Sequence, residues 1–116
     1  EMVITLRLTQ PDDLPQNVPK NDCTKWFDCD KINCELTVRT RRSGDYMAVS
    51  QSGGHKKLTR CMIDDKIPGE LRGKLPLVVD GNEVLWIVGG RINERYKITS
   101  ETGRVLEITY QGGNVQ

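Results

Sequence analysis

The sequence has few of the residues on which most catalytic sites depend. Its 116 residues include one histidine, His55, which is followed by Lys56 and Lys57. Neighbouring cations lower the proton affinity of an imidazole without supplying co-ligands, so serine–histidine and cysteine–histidine catalysis are poorly supported. No apolar run approaches the roughly 18 residues of a membrane helix, and the N-terminus lacks the features of a secretory signal. We therefore predict no catalytic residues, no membrane association and a cytoplasmic location.

The composition is that of one small domain. Hydrophobic residues make up 36% of the chain and charged residues 28%, a balance that can close a modest core at this length. The first residue is Glu1 rather than methionine, which fits a piece of a longer protein. We therefore expect a folded domain that works as part of a larger chain.

The net charge of +1 hides an uneven distribution of charged residues. Residues 1–35 contain four Lys or Arg against seven Asp or Glu, whereas residues 36–116 contain thirteen against nine. Between residues 36 and 60 there are six cations and a single acid, Asp45. A local positive field of this kind attracts phosphate groups even where the net charge is small. The six cations are Arg39, Arg41, Arg42, Lys56, Lys57 and Arg60.

Four cysteines permit two disulfides, one four-ligand metal site, or neither. Tetrahedral thiolate sites usually take their ligands from two closely spaced pairs, whereas only one of the gaps here is suitably short. Disulfide frameworks are typical of small secreted proteins, and the chain has no secretion signal. We therefore expect reduced thiols and predict no metal ligands at Cys23, Cys29, Cys34 and Cys61.

Most of the chain has the patterns of β-strands. Segments with alternating or continuous apolar residues are separated by Gly, Asp, Asn and Ser, which are typical turn residues. The turns at residues 42–45, 80–82 and 100–103 predict three hairpins, and the second hairpin is apolar enough to form the core. The predicted strands are residues 2–9, 36–41, 46–49, 77–79, 84–88, 96–99 and 104–110.

Two short helices are predicted between the first and second hairpins. Residues 57–66 have apolar side chains at helical spacing, and a second helix is expected to start at Pro68 and to end before Pro76. Residues 11–22, which include three prolines, have the composition of a loop. Because strands outnumber helices, we expect an α+β fold, with a mainly antiparallel β-sheet and two short helices packed on it.

Arg39 and Arg41 are the first candidates for a binding site, because they fall on one face of a predicted strand. Their spacing of roughly 6.7 Å along that strand is comparable to the distance between successive nucleic-acid phosphates. Arg42 in the following turn, and Lys56 and Lys57 after a Gly-Gly break, can extend the row of phosphate contacts. A solvated basic face explains the same residues equally well, because scattered surface cations are common.

Other motifs have weaker functional interpretations. The carboxylate pairs Asp28–Asp30 and Asp64–Asp65 are of the type that binds a metal or acts as acid and base, but neither has a histidine nearby in the sequence. Residues 52–54 (SGG) match the start of an SGGxDS pyrophosphatase loop, but lysines replace its Asp-Ser and the chain is too short for that domain. We therefore predict no ATP site.

Four aromatic residues have side chains of the kind that stacks on nucleobases. Trp86 lies inside an apolar run and is predicted to belong to the core. For Trp26, Phe27 and Tyr96 base stacking stays an open interpretation.

An ordered series of motifs extends along residues 26–110. The motifs are residues 27–32 (FDCDKI), 36–45 (LTVRTRRSGD), 56–58 (KKL), 63–68 (IDDKIP), 75–77 (LPL), 80–81 (DG), 84–89 (VLWIVG), 91–92 (RI) and 96–99 (YKIT), together with Arg72 and Thr102. By their order and spacing, more than by any single motif, they resemble the C-terminal region of bacterial tRNA(Ile)-lysidine synthetase. Two positions depart from the family pattern, since Ser43 stands where proline is usual and Cys29 where a small residue is common.

The resemblance implies a tRNA-binding domain of a larger enzyme. Family members are said to use ATP to join lysine to the wobble cytidine of an isoleucine tRNA, and that chemistry belongs to an N-terminal domain. The present chain is then expected to hold tRNA(Ile), by its acceptor-stem side, and to be inactive in isolation. ATP and lysine are expected to be used by the preceding catalytic domain, and the chain itself is expected to bind no cofactor.

The resulting prediction assigns residues 1–25 to an N-terminal strand and loop shared with a preceding domain, 26–110 to the tRNA-binding domain and 111–116 to a tail. An alternative is a structural or dimerisation domain that orients the catalytic domain and contacts RNA little; a homodimer is left open. The predicted RNA-binding residues are Arg39, Arg41, Arg42, Lys56 and Lys57, with Arg91, Arg95 and Lys97 as weaker candidates.

Overall fold

The computed structural model describes most of the chain in five stretches. Within them no helix is long and apolar enough to cross a lipid bilayer. Residues 14–22 of the predicted loop and residues 113–116 of the predicted tail lie outside the described stretches, as do Cys23 and Cys34. The described stretches are residues 2–13, 24–33, 35–50, 52 and 54–112.

The described residues are mainly strands, with two α-helices and three short 3₁₀ segments. The strands are β1 (Met2–Thr9), β2 (Thr24–Asp28), β3 (Leu36–Arg39), β4 (Tyr46–Ala48), β5 (His55–Lys57), β6 (Leu77–Asp80), β7 (Glu83–Ile87) and β8 (Val105–Gly112). The helices are α1 (Leu58–Asp64) and α2 (Gly69–Arg72), and the 3₁₀ segments are Pro11–Asp13, Cys29–Lys31 and Glu94–Tyr96.

Contacts divide the chain into two compact units. The first unit combines Glu1–Lys31 with Lys97–Gln116, and the second is Ile32–Tyr96. Residues 1–25 are thus grouped with the C-terminal strand. The boundaries predicted from the sequence, at residues 25 and 110, stay a prediction.

The first unit is built on a three-stranded antiparallel sheet in the order β1-β8-β2. The alternation in β1 predicted this strand correctly. Phe27 and Leu8 both lie opposite Leu106 in the register, and Phe27, Leu106 and Ile108 are buried. Full burial of an apolar side chain of this size is worth about 1.5–3 kcal/mol. The central strand β8 therefore contributes most of this unit's core.

The second unit is built on a five-stranded sheet in the order β3-β6-β7-β4-β5. Its centre is the predicted β6–β7 hairpin, whose strands are buried along their whole length. Gly81 in the connecting turn has φ +70°, a conformation that glycine adopts without steric cost. All neighbouring strands in this sheet are antiparallel except β4 and β7, which are parallel. The predicted α+β fold is therefore confirmed, but the sheet is partly mixed.

Helix α1 has the predicted apolar stripe, with Leu58, Cys61 and Met62 buried. These side chains join a core that includes Met47 and Leu77. Helix α2 is a single turn of Gly69–Arg72, and Pro68 lies at its N-cap instead of inside it. Both predicted helices are thus present, although each is shorter than expected.

The predicted hairpin of residues 36–41 and 46–49 is wrong. Strand β3 pairs with β6, whereas β4 pairs with β5 and β7. The apolar β6–β7 hairpin has two edges that need partners. The partly exposed strand β3 and the mostly buried strand β4 pair with opposite edges of it instead of with each other. Strand β3 ends opposite Leu77, at the open end of the central hairpin, and β4 begins opposite Glu83, beside its turn, so the residues between them return along the hairpin.

The predicted hairpin of residues 96–99 and 104–110 is also wrong. Tyr96 ends the 3₁₀ segment Glu94–Tyr96, and its hydroxyl donates to the Asp80 carboxylate at 2.7 Å. Strand β8 pairs instead with β1 and β2. The buried hydrogen bond holds Tyr96 in the second unit. Residues 96–99 therefore do not pair with β8.

Candidate nucleic-acid interface

The turn at residues 42–45 is the structural centre of the predicted basic site. Gly44 has φ +91°, and the Asp45 N–H donates to the Arg42 carbonyl at 3.3 Å. The Asp45 carboxylate in turn accepts the Arg42 N–H at 2.8 Å. A glycine with positive φ in third position is typical of a type II turn. The short loop is therefore held by hydrogen bonds at both ends.

Arg39 forms an internal ion pair with Asp45. Its Nη1 and Nη2 atoms each donate to a different carboxylate oxygen at 2.8 Å, and the two side chains are 10% and 1% exposed. Burial by itself raises the pKa of Asp45, but the bonds from Arg39 and from the Arg42 N–H outweigh it and hold that pKa below its ordinary value. Arg39 therefore stabilises the turn, and its guanidinium group is not free to contact phosphate.

Arg41 and Arg42 lie beyond the end of β3, so the predicted strand face shared by Arg39 and Arg41 does not form. Arg41, Arg42 and Lys57 are exposed. In the part of the chain that the structure describes, none of these three side chains forms an ion pair. They are the predicted site residues whose charge remains available to a ligand.

Lys56, by contrast, is paired with an acid on α1. Its Nζ atom lies 2.8 Å from the Asp64 carboxylate, which Arg60 also approaches at 3.3 Å. The hydrogen bond from Lys56 is the main cause that lowers the pKa of Asp64. Because this partly exposed ion pair already engages the charge of Lys56, Lys56 is a weaker candidate for phosphate binding than Lys57.

The weaker candidates Arg91 and Arg95 also form ion pairs. Arg91 makes two bonds to the Asp65 carboxylate, at 3.0 and 2.6 Å. Arg95 makes two bonds to Glu83, at 3.1 and 2.8 Å, and its guanidinium carbon lies 4.6 Å from the centroid of the Tyr96 ring. The hydrogen bonds that Arg95 donates to Glu83 raise the pKa of Arg95. Both arginines therefore hold together neighbouring parts of the second unit.

Lys97 is half-buried, belongs to the first unit and has an interaction partner of its own. Its predicted role in RNA binding stays a prediction.

Other residues considered as functional have structural partners. Asp28 accepts the Thr102 hydroxyl at 3.0 Å, and Asp30 accepts the Gly103 N–H at 3.0 Å. No group of three metal-ligating side chains occurs in the stretches that the structure describes. Ser52 shares a hydrogen bond of 2.9 Å with Ser50 and precedes a strand instead of opening a helix. These residues thus stabilise loops and turns.

The aromatic residues are mostly unavailable for base stacking. Trp86 is fully buried, as predicted, and so are Phe27 and Tyr96. The Trp26 indole N–H donates to Glu107 at 3.0 Å. The stacking interpretation is therefore wrong for Phe27 and Tyr96.

A pocket of about 390 Å³ opens beside the 42–45 turn. One wall is the turn with Tyr46, and the other is the junction of β5 and α1. We call it the turn pocket; its lining residues are Arg42, Ser43, Gly44, Asp45, Tyr46, Lys57 and Thr59.

Sequence reasoning identified Arg42 and Lys57 but missed the neutral part of the turn pocket. Tyr46 and Lys57 face each other in the β4–β5 register, and Thr59 follows two residues later. Residues 46–49 were predicted to form a hairpin with residues 36–41, so the sequence carried no signal that brings Tyr46 beside Lys57. Only the pairing of β4 with β5 shows that Tyr46 lies beside Lys57.

The described strands and helices form a small α+β fold, and Arg42 and Lys57 are among the residues that line the turn pocket. Residues 36–108 match the family model described as the TilS substrate C-terminal domain, and the chain belongs to this family. The resemblance indicated by the sequence motifs is thereby confirmed.

Two relatives are much longer than this chain. The tRNA(Ile)-lysidine synthase of Caldanaerobacter subterraneus subsp. tengcongensis is 43% identical over 91 residues, or 78% of this chain and 20% of the relative. That of Clostridium tetani is 42% identical over 93 residues, or 80% of this chain and 20% of the relative. The chain thus spans about a fifth of the length of these relatives.

A solved structure has the same architecture. It is described as the crystal structure of the TilS C-terminal domain, and it superposes with a TM-score of 0.73 at 28% identity. The match covers 98% of this chain and 86% of the other. Both units of the chain therefore have counterparts in a known domain of this family.

Proposed function

We propose that this chain is the tRNA-binding C-terminal domain of a tRNA(Ile)-lysidine synthase. The observation that carries the proposal is the set of exposed, unpaired cations, Arg41, Arg42 and Lys57, beside the turn pocket. An enzyme that modifies tRNA needs surfaces that hold the phosphate backbone, and arginine and lysine are the usual contacts. In this proposal the three cations contact phosphates, and ion-paired Arg39, Arg91 and Arg95 maintain the fold.

The proposal places the chemistry outside this chain. The whole enzyme uses ATP to join lysine to the wobble cytidine of tRNA(Ile) in the cytoplasm, and both ATP and lysine bind the catalytic domain. Acids in the present chain support this assignment, because Asp28, Asp30 and Asp45 are engaged in turns and ion pairs. The chain by itself is then expected to bind tRNA without modifying it.

The direct test is a salt titration of tRNA binding. Each phosphate contact contributes roughly 0.7–0.9 to the slope of log affinity against log salt. Replacing Arg41, Arg42 and Lys57 together by Ala is expected to reduce that slope by about two to three. Lys74→Ala is the matched control, because Lys74 is an exposed cation outside the turn pocket.

An unchanged slope in the triple variant would move the RNA site away from the turn pocket. The complete absence of tRNA binding by the native chain would contradict the proposed function itself.

A second candidate function is a packing or dimerisation domain that contacts RNA little. It is favoured by exposed apolar residues on β1, where Leu6 is 51% and Leu8 is 62% exposed. Contiguous exposed apolar residues mark interaction surfaces. Light scattering of the native chain and of Leu8→Ser over a range of concentrations, together with a tRNA gel shift, separates the two candidates. A native dimer that the variant loses, without any gel shift, would favour the packing role.

A further inference from the structure

We propose that the turn pocket takes one unpaired nucleotide of an RNA strand, with its phosphate at Arg42 and Lys57 and its base on Tyr46. This inference rests on the proposed RNA-binding function and adds to it the kind of RNA element that is recognised.

The size of the pocket favours a single nucleotide. Its volume of about 390 Å³ lies within the roughly 300–1,000 Å³ typical of small-ligand sites. A base inside a duplex is stacked on both faces and paired at its edge, so it cannot enter a concave site. The outer backbone of a duplex leaves such a pocket unfilled. An unpaired nucleotide can place both its phosphate and its base there.

The lining supplies each kind of group that a nucleotide needs. Arg42 and Lys57 provide positive charge, Ser43 and Thr59 provide hydroxyl groups, and Tyr46 provides an aromatic ring. Proteins that bind single strands combine a positive groove with aromatic side chains on which bases stack. A second pocket, at residues 65–68 and 87–90 with Leu71 and Leu75, has no aromatic side chain in its lining. The aromatic ring therefore distinguishes the turn pocket from this second pocket.

The one acid in the lining does not oppose an anion. Asp45 is 1% exposed on its side chain, and both carboxylate oxygens accept bonds from Arg39. The Arg42 N–H is a further donor to this carboxylate. Because the negative charge is neutralised inside the protein, the open face of the pocket presents the charges of Arg42 and Lys57. Arg39 is thus a positioning residue for this site.

Backbone hydrogen bonds hold the walls of the pocket in place. The Leu58 N–H donates to the Asp45 carbonyl at 3.0 Å and joins the two walls. The Tyr46 N–H donates to the Asn82 carbonyl at 3.1 Å and connects the first wall to the turn between β6 and β7. The Tyr46 ring also packs on His55, with centroids 4.8 Å apart. A preorganised site loses less conformational entropy on binding.

The test compares two RNA hairpins with the same stem, one blunt and one with a short single-stranded 3′ extension. Binding to the 116-residue chain is measured by fluorescence anisotropy at one salt concentration. We expect the extended RNA to bind about tenfold more tightly, because stacking of one base on an aromatic ring has this order of magnitude. Tyr46→Leu is expected to abolish the difference, whereas Tyr46→Phe and the control Lys74→Ala are expected to keep it.

Two results would overturn the inference and leave RNA binding intact. One is equal affinity of the native chain for both hairpins, and the other is a Tyr46→Leu variant that still prefers the extended RNA. Failure of both hairpins and of tRNA to bind would instead contradict the proposed function. Thermal denaturation checks that each variant is folded. Should Tyr46→Leu unfold, a 3′ extension of abasic nucleotides is tested with the native chain instead, and a preference for the extended RNA that survives the loss of the bases would equally overturn the inference.

Discussion

Arg39 shows how a residue with the chemistry of a phosphate contact can have a structural role. Its forked guanidinium group matches the two oxygens of Asp45, and such bidentate pairs are among the stronger hydrogen-bonded interactions in proteins. The Asp45 carboxylate also accepts the Arg42 N–H, so one ion pair fixes the loop that carries the exposed cations. In the proposed function, Arg39 therefore influences RNA binding only by holding this loop in place.

Replacing Arg39 by Ala is expected to destabilise the chain by about 3–5 kcal/mol, because it leaves the buried Asp45 carboxylate without its partner. Urea denaturation measures the loss. The double variant Arg39→Met with Asp45→Asn removes both charges and is expected to recover a large part of it. A loss below about 1 kcal/mol, the level of an exposed pair, would contradict a structural role for Arg39.

The 42–45 turn explains one departure from the family pattern. Ser43 occupies the second position of a turn whose third residue, Gly44, has φ +91°. Proline is favoured at the second position of a type II turn because its fixed φ matches the turn. The serine present here therefore leaves the loop without the constraint that a proline would supply.

Ser43→Pro is expected to raise the free energy of unfolding by about 0.4–1 kcal/mol, chiefly by restricting the unfolded chain. Gly44→Ala is the contrasting variant. A Cβ atom at Gly44 would meet nothing within 4 Å, so the expected loss of roughly 1 kcal/mol comes from the positive φ alone. Both are measured by thermal denaturation. Destabilisation by Ser43→Pro would show that the turn is not of type II.

Acid stability is a property of the chain as a whole, because several carboxylates have lowered pKa values in the fold. Burial raises the pKa of Glu83, but hydrogen bonds from Arg95 and Asn93 outweigh it, as those from Arg39 do for Asp45. Their ordinary values are 4.5 and 3.8, so the stability they contribute is present above about pH 4.5 and is lost as pH falls through the lower folded values.

Burial, followed by the bond to Asp80, raises the pKa of Tyr96 far above its ordinary value of 10.0. The contribution of Tyr96 to the free energy of unfolding is therefore present below about pH 10 and is lost as the pH rises above that value. Urea denaturation at a series of pH values is expected to show a free energy of unfolding that is constant at intermediate pH and falls at both the acid and the alkaline limit. Asp45→Asn should flatten the acid limb, whereas Asp12→Asn, at an exposed position, should leave it unchanged. An acid limb of equal depth in both variants would contradict this assignment.

The local elements of this protein follow from short stretches of sequence. Alternation predicts β1, apolar runs around an Asp-Gly turn predict the β6–β7 hairpin, and helical spacing predicts α1. Each depends on residues within one turn or one strand of each other, so neighbours along the chain are sufficient to specify it. The family could also be predicted from the sequence, because the order and spacing of several motifs identify it better than any single residue does.

Strand partners and free charges depend on residues that are distant in the sequence. Arg95 is neutralised by Glu83 and Arg91 by Asp65, and neither partner is identifiable from composition, since any of the 16 acids could serve. Likewise, Tyr46 meets Lys57 only because β4 pairs with β5. Local patterns set which surfaces need burial, whereas packing between remote segments sets which side chains are paired and which remain available to a ligand.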